Sequence, residues 1–348
     1  MISFTGVEPP NEVMRLIHNH HIGSVLLFAS NCPTVERVQE LLTQLKSWNV
    51  GTIPLCFAVD HEGGRVHRLP KPVTHFPPME KVGKLAYDVG QAMGRELREL
   101  GFHLNFAPVL DVRTNPLNKV VGDRSFGNNP EIVSLSGCQF IDGMQKEGIA
   151  ACGKHFPGHG DTFEDSHELL PRLPHNISRL EAVELPPFKA AIQQNVASIM
   201  TAHVVYDGID ADVPATFSPK ILRELLRKKL GFEGLIVSDE LAMGALSKFG
   251  SSEEACIKAF MAGCDVLIMG KDLQKTLKAI DMFEKAAIRG DIPESNIEEA
   301  YQRILKFKQT YCQSGVKPPT NPALSAIGSK ENQELANKIN QISEQENF

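Results

Sequence analysis

No run of apolar residues in this chain approaches the roughly 18 needed to cross a bilayer as a helix. No long basic run occurs either, and the 36 Lys and Arg are outnumbered by 42 Asp and Glu, a net charge of −6. Nucleic acid and membrane are therefore not expected as partners. The first residues, Met1 to Gly6, lack the basic-then-apolar pattern of a secretory signal, which points to the cytoplasm. Among the seven cysteines no pair has CxxC spacing, so a cysteine zinc site is not expected. Cys56, Cys152 and Cys264 sit inside apolar runs, which fits buried free thiols better than a disulfide framework. A GxGxxG after the first strand is missing as well, and with it the dinucleotide fingerprint.

What is present is alternation. Short β-like apolar runs cover 2–6, 24–29, 55–60, 104–112, 149–155, 198–204, 235–239 and 266–270. Between them lie stretches such as 35–48, 90–100, 132–145, 179–193 and 219–229, with apolar residues at three-to-four spacing. Asn176-Ile177-Ser178 and Phe217-Ser218-Pro219 supply helix N-caps, the second with Pro at the first helical position. The pattern is α/β. A doubly wound sheet uses the same alternation, but eight runs in a chain of 348 residues favour a single (β/α)8 barrel of the TIM type. Residues 1–312 are assigned to the barrel and 313–348 to a polar C-terminal extension with one helix, leaving no room for a second globular domain.

The chemistry gathers at strand ends. Asp60 closes the third run and leads into His61 to Arg68, Asp111 closes the fourth, Lys154 and His155 the fifth, His203 the sixth and Asp239 the seventh. A lone strand-end Asp is more often a cap or a salt-bridge partner, but five such ends on one barrel face converge on one pocket. The stretch Lys154 to His167 is the densest, with a Lys, three His and three acidic residues shaped by Pro157, Gly158 and Gly160. Carboxylates facing a sugar can serve as nucleophile or base, and Arg, Lys and Asp can clamp hydroxyls. Asp239 is placed to be the nucleophile. Asp165 and His167 offer an acid/base pair in which the carboxylate orients the ring.

A rival reading takes His155, His159, Asp161 and His167 as a metal set. Pro157 and Gly158 forbid a regular helical pair between His155 and His159, so no metal and no cofactor are expected. The blander readings are a mere tight turn at Gly63-Gly64, solvated side chains at His18, His20 and His21, and a loop-bracing role for His159. Met243 and Phe163 could line the pocket or only pack.

Five segments together resemble glycoside hydrolase family 3, and within it the β-N-acetylglucosaminidase branch. They are Ala58 to Arg65, Asn105 to Val112, Gly122 to Phe126, Lys154 to His167 and Ser238 to Met243. The resemblance implies a barrel and a retaining mechanism without cofactor. It implies Asp239 as nucleophile, His167 as acid/base and Asp165 as its partner carboxylate. Asp60, Arg68, Arg124, Lys154 and His155 are implied to hold N-acetylglucosamine. The expected partner is a carbohydrate, an N-acetylglucosamine-containing glycan or a muropeptide released from cell wall, and the protein is expected to be a monomer. Two departures stand out: the chain begins almost on its first strand, without the leading helix of many relatives, and Glu240 stands where many carry Asp. A phosphorylase using the same site, or a catalytically silent sugar-binding protein, remains an alternative.

Overall fold

The computed structural model describes residues 1–163, 170–313 and 326–345. Seven parallel strands form one sheet in the order β1 (Ser24–Leu27), β2 (Cys56–Val59), β3 (Leu104–Asn105), β4 (Ala150–Phe156), β6 (Ser198–Thr201), β9 (Leu235–Glu240) and β10 (Val266–Ile268). Ile2 pairs in parallel with Val25 on β1 and with Met269 beside β10, so the two edges meet through it and the sheet closes on itself. Closure gives the eight staves expected of a (β/α)8 barrel, and it leaves no exposed edge in this sheet. The expected run 104–112 is strand only over its first two residues. Beyond them the chain bends away at the pocket mouth, with Val109 bridging to Lys154.

Parity along the strands positions the site. Leu26, Cys56 and Ala58, Leu104 and Phe106, Ala150 and Cys152, Met200, Leu235 and Val237, and Ile268 pack together inside the barrel. Their neighbours Val25, Phe57, Ala151, Ile199 and Ile236 face outward against the helices. Successive side chains alternate faces, so two residues beyond Ala58, Cys152 and Val237 the inward positions are Asp60, Lys154 and Asp239. The opposite mouth is plugged by the helix Glu294–Tyr311, whose Phe307, with Cys312 just beyond it, joins the interior cluster.

The caps read from the sequence form. The Asn176 side chain accepts from the Arg179 amide at 3.0 Å, and Ser218 Oγ accepts from the Ile221 amide at 3.2 Å ahead of the helix Lys220–Lys229. A second, three-stranded sheet of β5 (Arg172–Asn176), β7 (Val205–Gly208) and β8 (Asp210–Pro214) was not foreseen. Its strands are short and polar, with no run of apolar residues to announce them. It stands beside the described part of the Lys154 to His167 stretch, residues 154–163, where the buried Tyr206 hydroxyl donates to the Gly158 carbonyl.

Candidate active site

Four charges form the centre of the pocket floor. Lys154 Nζ lies 2.7 Å from Asp60 Oδ1 and 2.6 Å from Glu62 Oε1. Arg124 grips Glu62 with two parallel bonds, Nε to Oε2 at 2.7 Å and Nη2 to Oε1 at 2.8 Å. Burial would raise the Glu62 carboxyl, but Arg124 and Lys154 outweigh it and hold it well below the usual carboxylate range. Burial would likewise lower the Lys154 ammonium, yet Asp60 and Glu62 keep it above its ordinary value. Glu62, Lys154 and Arg124 therefore stay ionised near neutrality. Asn105 at the end of β3 fixes this strand end from the side. Its Oδ1 accepts from the His61 amide at 2.9 Å, and its Nδ2 donates to the His61 carbonyl at 2.8 Å.

A second buried carboxylate organises the next stretch. Asp111 accepts the His155 amide at 3.1 Å and the His159 amide at 2.6 Å, and its Oδ2 lies 2.8 Å from His155 Nδ1. The His155 ring is thereby oriented at the pocket wall. His159 Nδ1 lies 2.7 Å from Thr162 Oγ1, and burial pushes its imidazole down to about 4, against the pull of Asp111. His159 braces the loop, as read from the sequence. Gly160 is required by contact: a Cβ there would sit 1.8 Å from the Val112 carbonyl oxygen.

Asp239, half-buried at the end of β9, has one carboxylate oxygen engaged by the Glu240 amide at 2.7 Å. Burial would raise its carboxyl, but His203, His155, that amide and Lys154 hold it below the ordinary value. His203 itself is clamped between Thr216 Oγ1 at 2.7 Å and the Glu240 carbonyl at 3.0 Å, so it fixes the strand end that carries the nucleophile candidate. Glu240 behaves differently: burial pushes its carboxyl up to about 7, with the Asp239 charge adding to the effect.

These groups line one cavity of about 930 Å3. It brings together Asp60, Arg68, Arg124, Lys154, His155 and Asp239 of the residues singled out in the sequence, and adds Glu62 and Glu240. Arg68 Nε is buried without a hydrogen-bond partner among the described residues. Phe163 and Met243 line the cavity, Phe163 largely exposed. His18, His20 and His21 are exposed, as expected. Asp165 and His167 lie outside the described residues. Glu62 is not among the residues singled out from the sequence; its role depends on Arg124, 62 residues along the chain, which only the fold brings against it.

Of the rival metal set, His155 Nδ1 bonds Asp111 and His159 Nδ1 bonds Thr162, while His167 lies outside the described residues. Among the described residues, the one group of three possible ligands is Cys56, His103 and Cys312, at the plugged mouth of the barrel. There His103 Nδ1 accepts the Phe57 amide at 3.0 Å, so in the neutral ring the proton sits on its other nitrogen, which suits no ion.

A parallel barrel whose strand ends collect ionised carboxylates and paired cations around an open polar cavity is built to hold a polyhydroxylated ligand. The model described as "Glycosyl hydrolase family 3 N terminal domain" matches residues 1–307, and the chain belongs to that family of glycoside hydrolases. It is 35% identical over 316 residues to the Beta-hexosaminidase of Idiomarina loihiensis, covering 88% of this chain and 91% of that protein. Among solved structures it is similar to a family 3 beta-N-acetylglucosaminidase from Paenibacillus sp., with 37% identity and a TM-score of 0.91. The match covers 97% of this chain and 66% of the longer Paenibacillus one. It is also similar to NagZ from Neisseria gonorrhoeae in complex with N-trifluoroacetyl-D-glucosamine. Here the TM-score is 0.80 and the identity 30%, covering 97% of this chain and 96% of that one.

Proposed function

We propose that the chain is a retaining exo-β-N-acetylglucosaminidase that removes terminal β-linked N-acetylglucosamine, with cell-wall fragments as natural substrates. The observation that carries the reading is the ionised Asp239 facing the Asp60–Lys154–Glu62–Arg124 cluster across one cavity. Asp60, Lys154, Arg124, Arg68 and His155 hold the sugar through its hydroxyls, because charged groups make the stronger hydrogen bonds and tolerate no apolar substitute. With one Asp239 oxygen tied to the Glu240 amide, the other attacks the anomeric carbon, and its depressed carboxyl keeps it anionic at neutral pH. His167, steadied by Asp165, protonates the departing oxygen and then deprotonates the incoming water. The relatives named Beta-hexosaminidase and the neighbour complexed with an N-acylated glucosamine support this substrate class.

Release of chromophore from an aryl N-acetyl-β-glucosaminide, with and without phosphate, tests the reading, provided the product sugar is identified. Free N-acetylglucosamine at a rate indifferent to phosphate is expected. A sugar 1-phosphate would make the protein a phosphorylase. Binding without turnover would make it a silent sugar-binding protein.

A further inference from the structure

The helix Lys330–Gln345 lies beyond the stretch matched by the family, yet it is docked on the barrel. Ala336 and Ile339 are buried, and Leu335 packs beside them on the main core. The polar key to this docking is Glu96, on the helix Ala86–Leu100 and 1% exposed. Its Oε1 accepts from the Gly328 amide at 2.8 Å, from Asn332 Nδ2 at 3.1 Å and from Thr74 Oγ1 at 2.8 Å. Its Oε2 accepts from the Thr74 amide at 3.1 Å. One carboxylate thus joins two segments distant in sequence, 72–76 and 326–333, and a buried acceptor with four donors is expensive to disturb. Gly328 fits closely: it has a φ of +64°, and a Cβ there would lie 2.3 Å from the Pro72 carbonyl oxygen.

From Thr74 the contacts run without a break to the pocket. The Gly64 amide donates to the Phe76 carbonyl at 2.9 Å, and His75 Nε2 lies 2.7 Å from the Gly64 carbonyl. The next residue, Arg65, donates through Nη2 to the carbonyls of Lys119 (2.8 Å) and Val120 (2.6 Å). The Val120 carbonyl also accepts from Arg124 Nη1 at 2.9 Å, and Arg124 holds Glu62. We infer that residues 326–345 brace the substrate pocket through Glu96, making Glu96 and Asn332 positioning residues for sugar binding by the loop that carries Asp60, Glu62, Arg65 and Arg68. The sugar-binding half of this inference rests on the function proposed above; the brace itself does not.

Asn332→Leu in the full chain tests it, since Leu fills the buried site but donates nothing to Glu96. Amide hydrogen exchange should quicken at both Thr74 and Gly64. KM for the aryl N-acetyl-β-glucosaminide should rise roughly three- to tenfold with kcat within about twofold, the size of effect that distal packing transmits. Were Asn332→Leu not to fold, Glu96→Gln gives the same readouts, because its amide would turn an N–H toward a Thr74 donor. Exchange that quickens only within 326–345, or an unchanged KM, overturns the brace. If the protein does not turn over this glycoside at all, exchange at Thr74 and Gly64 still decides the matter, since it needs no substrate.

Discussion

Removing the Lys154 charge should damage binding more than folding, and the size of each effect follows from the cluster. Lys154 and Arg124 face Asp60 and Glu62, two cations on two anions, so the wild-type site is neutral. Lys154→Met keeps the aliphatic stem packed but leaves the set at −1. Breaking a buried ion pair typically costs about 3–5 kcal/mol. Two features place this one at the low end. Glu62 keeps both bonds from Arg124, and the Asp60 side chain is 21% exposed, so water can take up part of its stranded charge. A loss of about 3 kcal/mol is expected. At about 2 °C per kcal/mol for a chain of this size, that lowers the melting temperature by about 6 °C. On the sugar side, each lost charged hydrogen bond should cost about 1.5–3 kcal/mol, or about ten- to 150-fold in kcat/KM. Thermal melts by circular dichroism and initial rates on an aryl N-acetyl-β-glucosaminide measure the two separately. Asp60→Asn in the same background should restore part of the stability by removing the unpaired anion, but none of the catalysis. A Lys154→Met protein that melts and turns over like the wild type would refute the charge arrangement on which the whole pocket is read.

How far the sequence discloses this molecule depends on whether a feature is periodic or relational. The barrel is periodic. Each stave is a run such as Leu235-Ile236-Val237 that repeats an inside-outside alternation, and Asp60, Lys154 and Asp239 lie in phase with it, so their convergence is legible before any coordinates. The N-caps at Asn176 and Ser218 are legible for the same reason, being local. Relational features are not. Glu62 matters because Arg124, 62 residues away, lands on it. Asn105 matters because the β2 end needs both its amide and its carbonyl satisfied, and Glu96 because two remote segments meet there. The second sheet escaped because strands such as Arg172–Asn176 are paired through backbone bonds over a polar face and bury few apolar side chains.

Asp239→Ala should leave the fold intact and abolish turnover, because a half-exposed strand-end carboxylate contributes little to packing. Azide should restore some activity and yield the α-glycosyl azide, and a β product would remove Asp239 from the nucleophile's place. Prolonged treatment with EDTA should leave the rate unchanged, since Pro157 and Gly158 keep His155 and His159 from forming a regular ligand pair; a loss reversed by zinc would show a metal requirement. The Glu240 carboxyl, raised to about 7, carries its proton below that pH and loses it above, placing a second negative charge beside Asp239 and the cationic transition state. The kcat/KM profile should therefore rise through neutrality, and Glu240→Gln should flatten that rise; identical profiles would exclude Glu240 from the chemistry. His167→Ala should discriminate between leaving groups, because a general acid contributes about 10²–10⁴-fold only where the departing oxygen needs a proton. A sugar alkoxide needs one and dinitrophenolate hardly does, so the first step on a dinitrophenyl glycoside should survive while a disaccharide is cleaved very slowly. The second step still lacks its base, so glycosyl-enzyme should accumulate on Asp239 and appear as added mass, with Asp165→Ala giving a milder form of the same pattern. Equal losses on both substrates with no trapped intermediate would mean that His167 only shapes the loop and that the proton comes from another group.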